Sequence, residues 1–189
     1  MEQTCFIPTT WGDVQITSRD NKLSRLLLPI SEQNPDQRDD PPVALATAIS
    51  AYFSGLPISF AVSFGDQQLD DTYSQSIAWW QTNVSVFPLQ KSAYPATPIE
   101  LDLVGLTPYL SRVLAATAAI PWGQTITYSD LGYLVSGNYR QARAVGTAMR
   151  LNPLPLIIPC HRVVARNGPG GFSGGTGVDY KLKMLALEK

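Results

Sequence analysis

One histidine and two cysteines are all this 189-residue chain has of the side chains that most often act as nucleophile, base or soft metal ligand. His161 directly follows Cys160 in residues 156–173, LIIPCHRVVARNGPGGFS, after an apolar run and before a glycine-rich loop. A thiol attacks as its thiolate, and a free cysteine with a pKa of about 8.5 is only partly ionised at neutral pH. A neighbouring imidazole can take that proton. In a regular strand, however, successive side chains point to opposite faces. A direct Cys160–His161 bond would therefore need a backbone bend. Alternatively, one bridging water would keep His161 within reach as a base. Adjacency alone leaves another reading open: a buried structural thiol beside a hydrogen-bonded core histidine. Two distant cysteines suggest no disulfide framework and fit a reducing compartment. With a single histidine they also cannot make a typical Cys/His zinc site.

The elements that must position this pair lie mostly upstream. LPLIIP (154–159) is a short apolar run bounded by prolines and reads as a buried strand or extended segment. Thr107 is a candidate N-cap with Pro108 at the first helical position. Leu110, Val113, Leu114 and Thr117 recur at helical spacing as far as IPWGQ. TYSDLGYLVSGNYRQARAVGTAMRLN then reads as a helix from about Ser129, a turn at Gly137 and a second helix from about Tyr139. This is a helix-turn-helix candidate whose second helix would be the recognition helix. That helix carries small residues at Ala142, Ala144, Gly146 and Ala148, and cations at Arg140, Arg143 and Arg150. Small residues allow close approach to a surface, and arginine suits phosphate and groove contacts. The competing reading is an internal helix that needs Gly146 for tight packing.

The first half differs in character. WGDVQITSRDNKLSRLLLP reads as a β-hairpin turning at Asp20-Asn21, and residues 32–42 as a polar, proline-bearing loop. VALATAISAYFSG reads as a helix stopped at Gly55, and PISFAVSF as a strand. Residues 65–98 resist assignment beyond packed aromatics at Trp79 and Trp80. Residues 1–108 hold 5 Lys+Arg against 12 Asp+Glu, a balance of −7, whereas residues 109–189 hold 9 against 3, a balance of +6. Such asymmetry points to a basic module able to meet phosphates, attached to an acidic partner. With 44% apolar and 15% charged residues the chain reads as globular. No run of 18 apolar residues suggests a membrane span, and the N-terminus does not read as a signal peptide. The expected location is cytoplasmic, or nuclear in a eukaryote.

Several of these stretches together resemble the O6-alkylguanine-DNA alkyltransferases, also called methylated-DNA–protein-cysteine methyltransferases. They are TPYLSRVL, IPWGQTITYSDL, ARAVGTAMRLNPLPLIIPCHRVV, GGFSGG and KLKMLALE, spread in order over roughly the last 80 residues. The first half is only loosely similar, with YFSG and DLVGLTPY as landmarks. The resemblance implies an α/β N-terminal domain (1–106) of ribonuclease-H-like fold. It also implies a mainly α C-terminal domain (107–189) with a winged-helix-like helix-turn-helix. It implies that Cys160 takes the alkyl group from guanine O6 permanently, with O4-alkylthymine left open as a further substrate. His161, through water, and Glu188 would form a relay that raises thiolate character. Tyr128 would donate a proton toward guanine N3, and Asn152 would brace the active-site turn. Arg143 would fill the gap left by a flipped nucleotide. Gln141, Ala142, Ala144, Gly146, Arg150, Pro155 and Ser173 would contact DNA or the base. The implied partner is double-stranded DNA carrying O6-alkylguanine, bound through the minor groove by a monomer. No cofactor or metal is implied, because alkyl transfer to a thiolate is a direct displacement.

The chain departs from that pattern in places. Phe172 stands where family members often have tyrosine, and Tyr139 replaces the usual proline after Gly-Asn. An apparent insertion of about thirty residues lies near 65–98. Two rivals remain at this point: a non-catalytic module that binds alkylated DNA, and a Cys-His hydrolase.

Overall fold

The computed structural model describes residues 1–29, 40–83 and 99–189. The chain opens with three antiparallel strands in sequence order, β1 (Glu2–Thr9), β2 (Gly12–Arg19) and β3 (Lys22–Leu27). The hairpin at Asp20-Asn21 is present. Both residues have positive φ, 48° and 65°, the backbone that matches the twist of a two-residue hairpin turn. β1 was not anticipated. It pairs Cys5 with Ile16 and Ile7 with Val14, and so contributes two buried side chains to the face beneath α1 (Val43–Phe53). That helix packs on β1 and buries Leu45, Ile49, Tyr52 and Phe53, and Gly55 (φ 77°) ends the turn after it as expected.

The strand expected in PISFAVSF is only β4 (Val62–Ser63), which pairs in parallel with β5 (Ile99–Glu100). Between them runs α2 (Gln67–Asn83), which the sequence reading left unassigned. Its sequence is mostly polar and it buries only Ser76 and Trp80, so it carries little hydrophobic period to read. Trp80 is buried, while Trp79 lies at the surface with its ring edge-on to it at 5.2 Å. The rest of the apparent insertion, residues 84–98, and most of the polar loop at 32–42 lie outside the described residues.

The second half builds from α3 (Pro108–Ala118), capped by Thr107, whose Oγ1 accepts a hydrogen bond from the Leu110 amide. The short pair β6 (Ile126–Thr127) and β7 (Val163–Val164) runs parallel and brackets the helix pair. α4 (Tyr128–Ser136) is capped by Thr127 and stopped by Gly137 at φ 67°. A 3-10 turn at Tyr139–Gln141 leads into α5 (Ala142–Leu151), which starts slightly later than the pattern suggested.

One expectation fails here. Residues 154–159, buried except for half-buried Pro155, are not a strand. The Ile158 amide donates to Leu154 O at 2.9 Å, and Leu156 holds a positive φ of 80°. The run is a compact turn, and proline at both ends limits the ladder hydrogen bonds a strand would need. α6 (Val178–Leu187) closes the chain. One hydrophobic cluster joins both halves, from Ile7, Val14 and Ile49 to Leu114, Leu131 and Ile157. The Leu26 amide of β3 also donates to Pro153 O at 2.8 Å, tying the first sheet to the turn that carries the site.

Candidate active site

The compact turn delivers Cys160 and His161 into a second 3-10 turn, Cys160–Arg162, with both residues buried. The backbone therefore bends at the pair, and the alternation of a strand does not apply. Asn152, at the end of α5, holds the turn from inside. Its Nδ2 donates to Ile158 O at 2.8 Å, and its Oδ1 accepts from the Leu154 amide at 3.0 Å. Burial pushes the Cys160 thiol above its ordinary value. Asn152, the Lys181 charge and nearby backbone amides oppose that shift only in part. At rest the site thus holds a thiol, not a preformed thiolate.

His161 is fully buried, and its Nε2 lies 2.7 Å from Glu188 Oε1. Glu188 stands at the C-terminal end of α6, where the helix dipole disfavours a carboxylate. Several donors compensate. Arg162 donates through Nε to Oε2 at 2.8 Å and through Nη2 to Oε1 at 2.9 Å. Tyr52 Oη donates to Oε1 at 2.9 Å, and the Gly123 amide donates to Oε2 at 3.3 Å. Burial alone would raise the Glu188 pKa, but the His161 hydrogen bond and the Arg162 charge bring it down to about 2. An ionised Glu188 accepts only, so Nε2 carries the proton. His161 Nδ1 is buried and makes no hydrogen bond to the described residues, which leaves its lone pair as an acceptor. Burial lowers the His161 pKa despite Glu188, so the imidazole is neutral, with its lone pair at Nδ1.

The roof of the site is the glycine-rich loop. Tyr128, first residue of α4, donates to Gly171 O at 3.3 Å. Gly170 has φ 75°, and a Cβ there would meet the Tyr128 ring at 2.8 Å, so only glycine allows this approach. Lys181 is fully buried and joins roof to floor, donating to Val163 O at 2.6 Å and to Gly171 O at 3.4 Å. Its ammonium sits 5.7 Å from the Tyr128 ring centroid, and burial brings its pKa down to about 8.

Cys160, His161, Glu188, Asn152 and Tyr128 thus converge from four elements. Pro155 lies half-buried in the supporting turn, and Ser173 is exposed on the loop beside half-buried Phe172. The remaining residues form a separate surface on and just before α5. Val145, Ala148 and Met149 face inward, whereas Arg143 and Arg150 are exposed and Gln141, Ala142, Ala144 and Gly146 are partly so. A Cβ at Gly146 would meet nothing within 4 Å. Close internal packing is therefore not what this glycine serves, which removes the competing reading of the helix.

Three contributors were missed from sequence. Arg162 directly follows His161, but nothing in its spacing points back to Glu188. Lys181 sits in a Lys-Leu-Lys run that reads as solvated surface. Tyr52 belongs to the apolar stripe of α1, where an aromatic reads as core.

The model for the DNA-binding domain of 6-O-methylguanine DNA methyltransferases matches residues 108–189. A relative from Acanthamoeba polyphaga mimivirus is 42% identical over 93 residues, 49% of this chain and 60% of that protein. The methylated-DNA–protein-cysteine methyltransferase of Metallosphaera sedula is 39% identical over 102 residues, 54% of this chain and 60% of that one. The protein of that name from Mycobacterium leprae is 40% identical over 132 residues, 65% of this chain and 78% of that one. The crystal structure of Mycobacterium tuberculosis O6-methylguanine methyltransferase superposes with a TM-score of 0.67 at 26% identity, over 100% of this chain and 93% of that one. A structure of the M. tuberculosis OGT in complex with DNA gives 0.67 at 25% identity, over 98% and 92%. Fold and site together define a DNA-binding domain with a buried thiol–imidazole–carboxylate site, preceded by a stretch of mixed helix and sheet. The chain belongs to the methylated-DNA–protein-cysteine methyltransferase family. Among the described residues no helix is long and apolar enough to cross a membrane.

Proposed function

We propose that this protein repairs DNA by moving the alkyl group of O6-alkylguanine onto Cys160, once per molecule. The observation that carries this reading is the orientation of His161. With Nε2 committed to Glu188, its free Nδ1 is the base available to the adjacent buried thiol. The Cys160 proton passes through water to Nδ1, and the resulting imidazolium is stabilised by ionised Glu188. The sulfur attacks the alkyl carbon, a carbon–sulfur bond forms, and the carbon–O6 bond breaks. Tyr128 Oη gives its proton to guanine N3, so the base leaves neutral, and the proton held on the imidazolium returns through solvent to the phenolate. The thioether that forms is stable to water, hence a single turnover.

A base inside a duplex cannot reach a buried sulfur, so the nucleotide must be extruded, at a cost of a few kcal/mol. The open α5 face suits a minor-groove approach by a monomer, with Arg143 inserted into the stack and Gln141, Ala142, Ala144, Gly146 and Arg150 along the strand. Pro155 and the loop at Ser173 would border the base. The ribonuclease-H-like and winged-helix-like descriptions, and a boundary between residues 106 and 107, belong to this proposal. They are supported by the three-stranded sheet under α1 and by the α4–α5 pair. Mass spectrometry after incubation with duplex DNA containing O6-methylguanine tests the activity. One methyl on the Cys160 peptide is expected; unmodified Cys160 despite tight binding would sink the reading.

A further inference from the structure

We infer that Tyr52, from the N-terminal half, is a positioning residue that latches Glu188 under His161. The inference rests on the relay proposed above and goes beyond it by assigning the first half of the chain a part in the chemistry.

Tyr52 is fully buried in the last turn of α1. Its ring is fixed edge-on by Trp122 and Phe53, each with centroids 5.2 Å away, and lies 6.2 Å from His161. The hydroxyl reaches Glu188 Oε1 at 2.9 Å and stands 3.3 Å from His161 Nε2. Because Nε2 already donates to Oε1, the hydroxyl can only donate there as well. Burial, and then the Glu188 charge, push the Tyr52 pKa far up, so it stays a donor throughout the working pH range.

A latch is needed because Glu188 has somewhere else to go. It lies on the wall of a cleft of about 780 Å³ that Gly123, Gln124, Pro121 and Lys189 also line. A carboxylate at a helix C-terminus gains by hydration, and rotation into this cleft would satisfy it with water. Arg162 also lines the cleft and is anchored there, its Nη1 donating to Ile120 O at 2.6 Å, so it would keep its hold on a carboxylate that turned toward the cleft. Tyr52 is held within the core by its ring contacts and cannot follow. Its hydrogen bond thus keeps Oε1 beneath the imidazole.

The other charged or titratable groups around the pair are Arg162 beside it, Lys181 and Tyr180 on α6, and Tyr128 on α4. None of these joins the first half of the chain to Oε1. The test is Tyr52→Phe, which keeps the ring and removes only the hydroxyl. Because the chain has one histidine, its ¹⁵N imidazole signals belong to His161 alone. In the parent protein they should report the neutral Nε2–H tautomer. In the variant they should show mixed tautomers. Iodoacetamide labelling of Cys160 should shift its pH profile upward by about one pH unit, roughly tenfold slower at neutral pH.

An unchanged tautomer and profile in a folded variant would overturn the latch, as would a downward shift. If Tyr52→Phe lowers stability, Glu188→Gln supplies the reference. In that background Tyr52→Phe should leave the labelling profile unchanged, and a further shift there would equally overturn the latch. These readouts involve no alkylated DNA. A normal relay without methyl uptake would therefore count against the proposed function, and methyl uptake with a relay indifferent to Tyr52 would count against the latch alone.

Discussion

Behind Cys160, the charged side chains of Arg162, Lys181 and Glu188 are buried and committed to partners, whereas Arg140, Arg143 and Arg150 on and before α5 lie exposed. In the first region the cations donate to fixed acceptors: Arg162 donates twice to Glu188, and Lys181 donates to Val163 O and Gly171 O. In the second, no ion pair involves these three arginines among the described residues. Buried charges pay a desolvation cost and repay it as shape, since removing one member leaves the other stranded. Exposed arginines contribute little to folding and remain free for phosphates or a groove. The same chain thus uses charge to hold a site still and to leave a surface open.

The largest effect that would sharpen this contrast comes from Glu188. Glu188→Gln should lower unfolding free energy by roughly 3–5 kcal/mol, read from urea midpoints, because Arg162 loses its counter-charge in a dry pocket. A loss below the range typical of surface substitutions would break the comparison. The same carboxylate sets the acid limb of stability. Its folded pKa of about 2 lies below the reference 4.5. Its contribution is therefore complete above pH 4.5 and is lost as pH falls toward 2. That contribution is on the order of 3 kcal/mol. Denaturation midpoints between pH 5 and 2.5 should fall steeply in the parent protein and less steeply in Glu188→Gln. Equal slopes would place the acid sensitivity elsewhere.

Arg143→Ala should behave in the opposite manner. Stability should stay within about 0.5 kcal/mol of the parent, as for a typical exposed position. Under the proposed flipping role, repair of O6-methylguanine in duplex DNA should slow by roughly 30- to 100-fold, since a few kcal/mol of unstacking is no longer offset. Reaction with the free alkylated base should be unchanged. Equal slowing of both would move Arg143 from the flipping step to the chemistry.

Much of this contrast was legible in residue order, but unevenly. The helices around Thr107 and Gly137 announced themselves through caps and period, and the family motifs placed Cys160, His161 and Glu188 together before any geometry was known. What escaped was information held in the third dimension. Residues 154–159 look like a strand because they are apolar and short, yet prolines at both ends and a positive φ at Leu156 fold them into a turn. α2 escaped because a helix that buries two side chains leaves almost no hydrophobic period. Tyr52 reads as core on its own helix. Its role depends on Glu188, 136 residues away, and no local pattern encodes that meeting.

The smallest predicted effect separates the two regions by sign, using the same substitution in each. Alanine at Gly146 meets open space in a helix interior, where glycine is the poorer helix former, so Gly146→Ala should stabilise by about 0.5–1 kcal/mol. It should also weaken duplex binding, because the added methyl stands on the face proposed to approach DNA. Alanine at Gly170 must adopt a left-handed backbone and push its methyl into the Tyr128 ring at 2.8 Å, so Gly170→Ala should destabilise and disturb the site. Thermal midpoints and fluorescence anisotropy on the two variants measure both halves of this claim. A surface kept open for a partner is one where filling the gap helps the fold and harms the binding. If Gly146→Ala raised stability and left DNA affinity untouched, α5 would be an exposed helix with no partner, and the contrast between the two regions would fail.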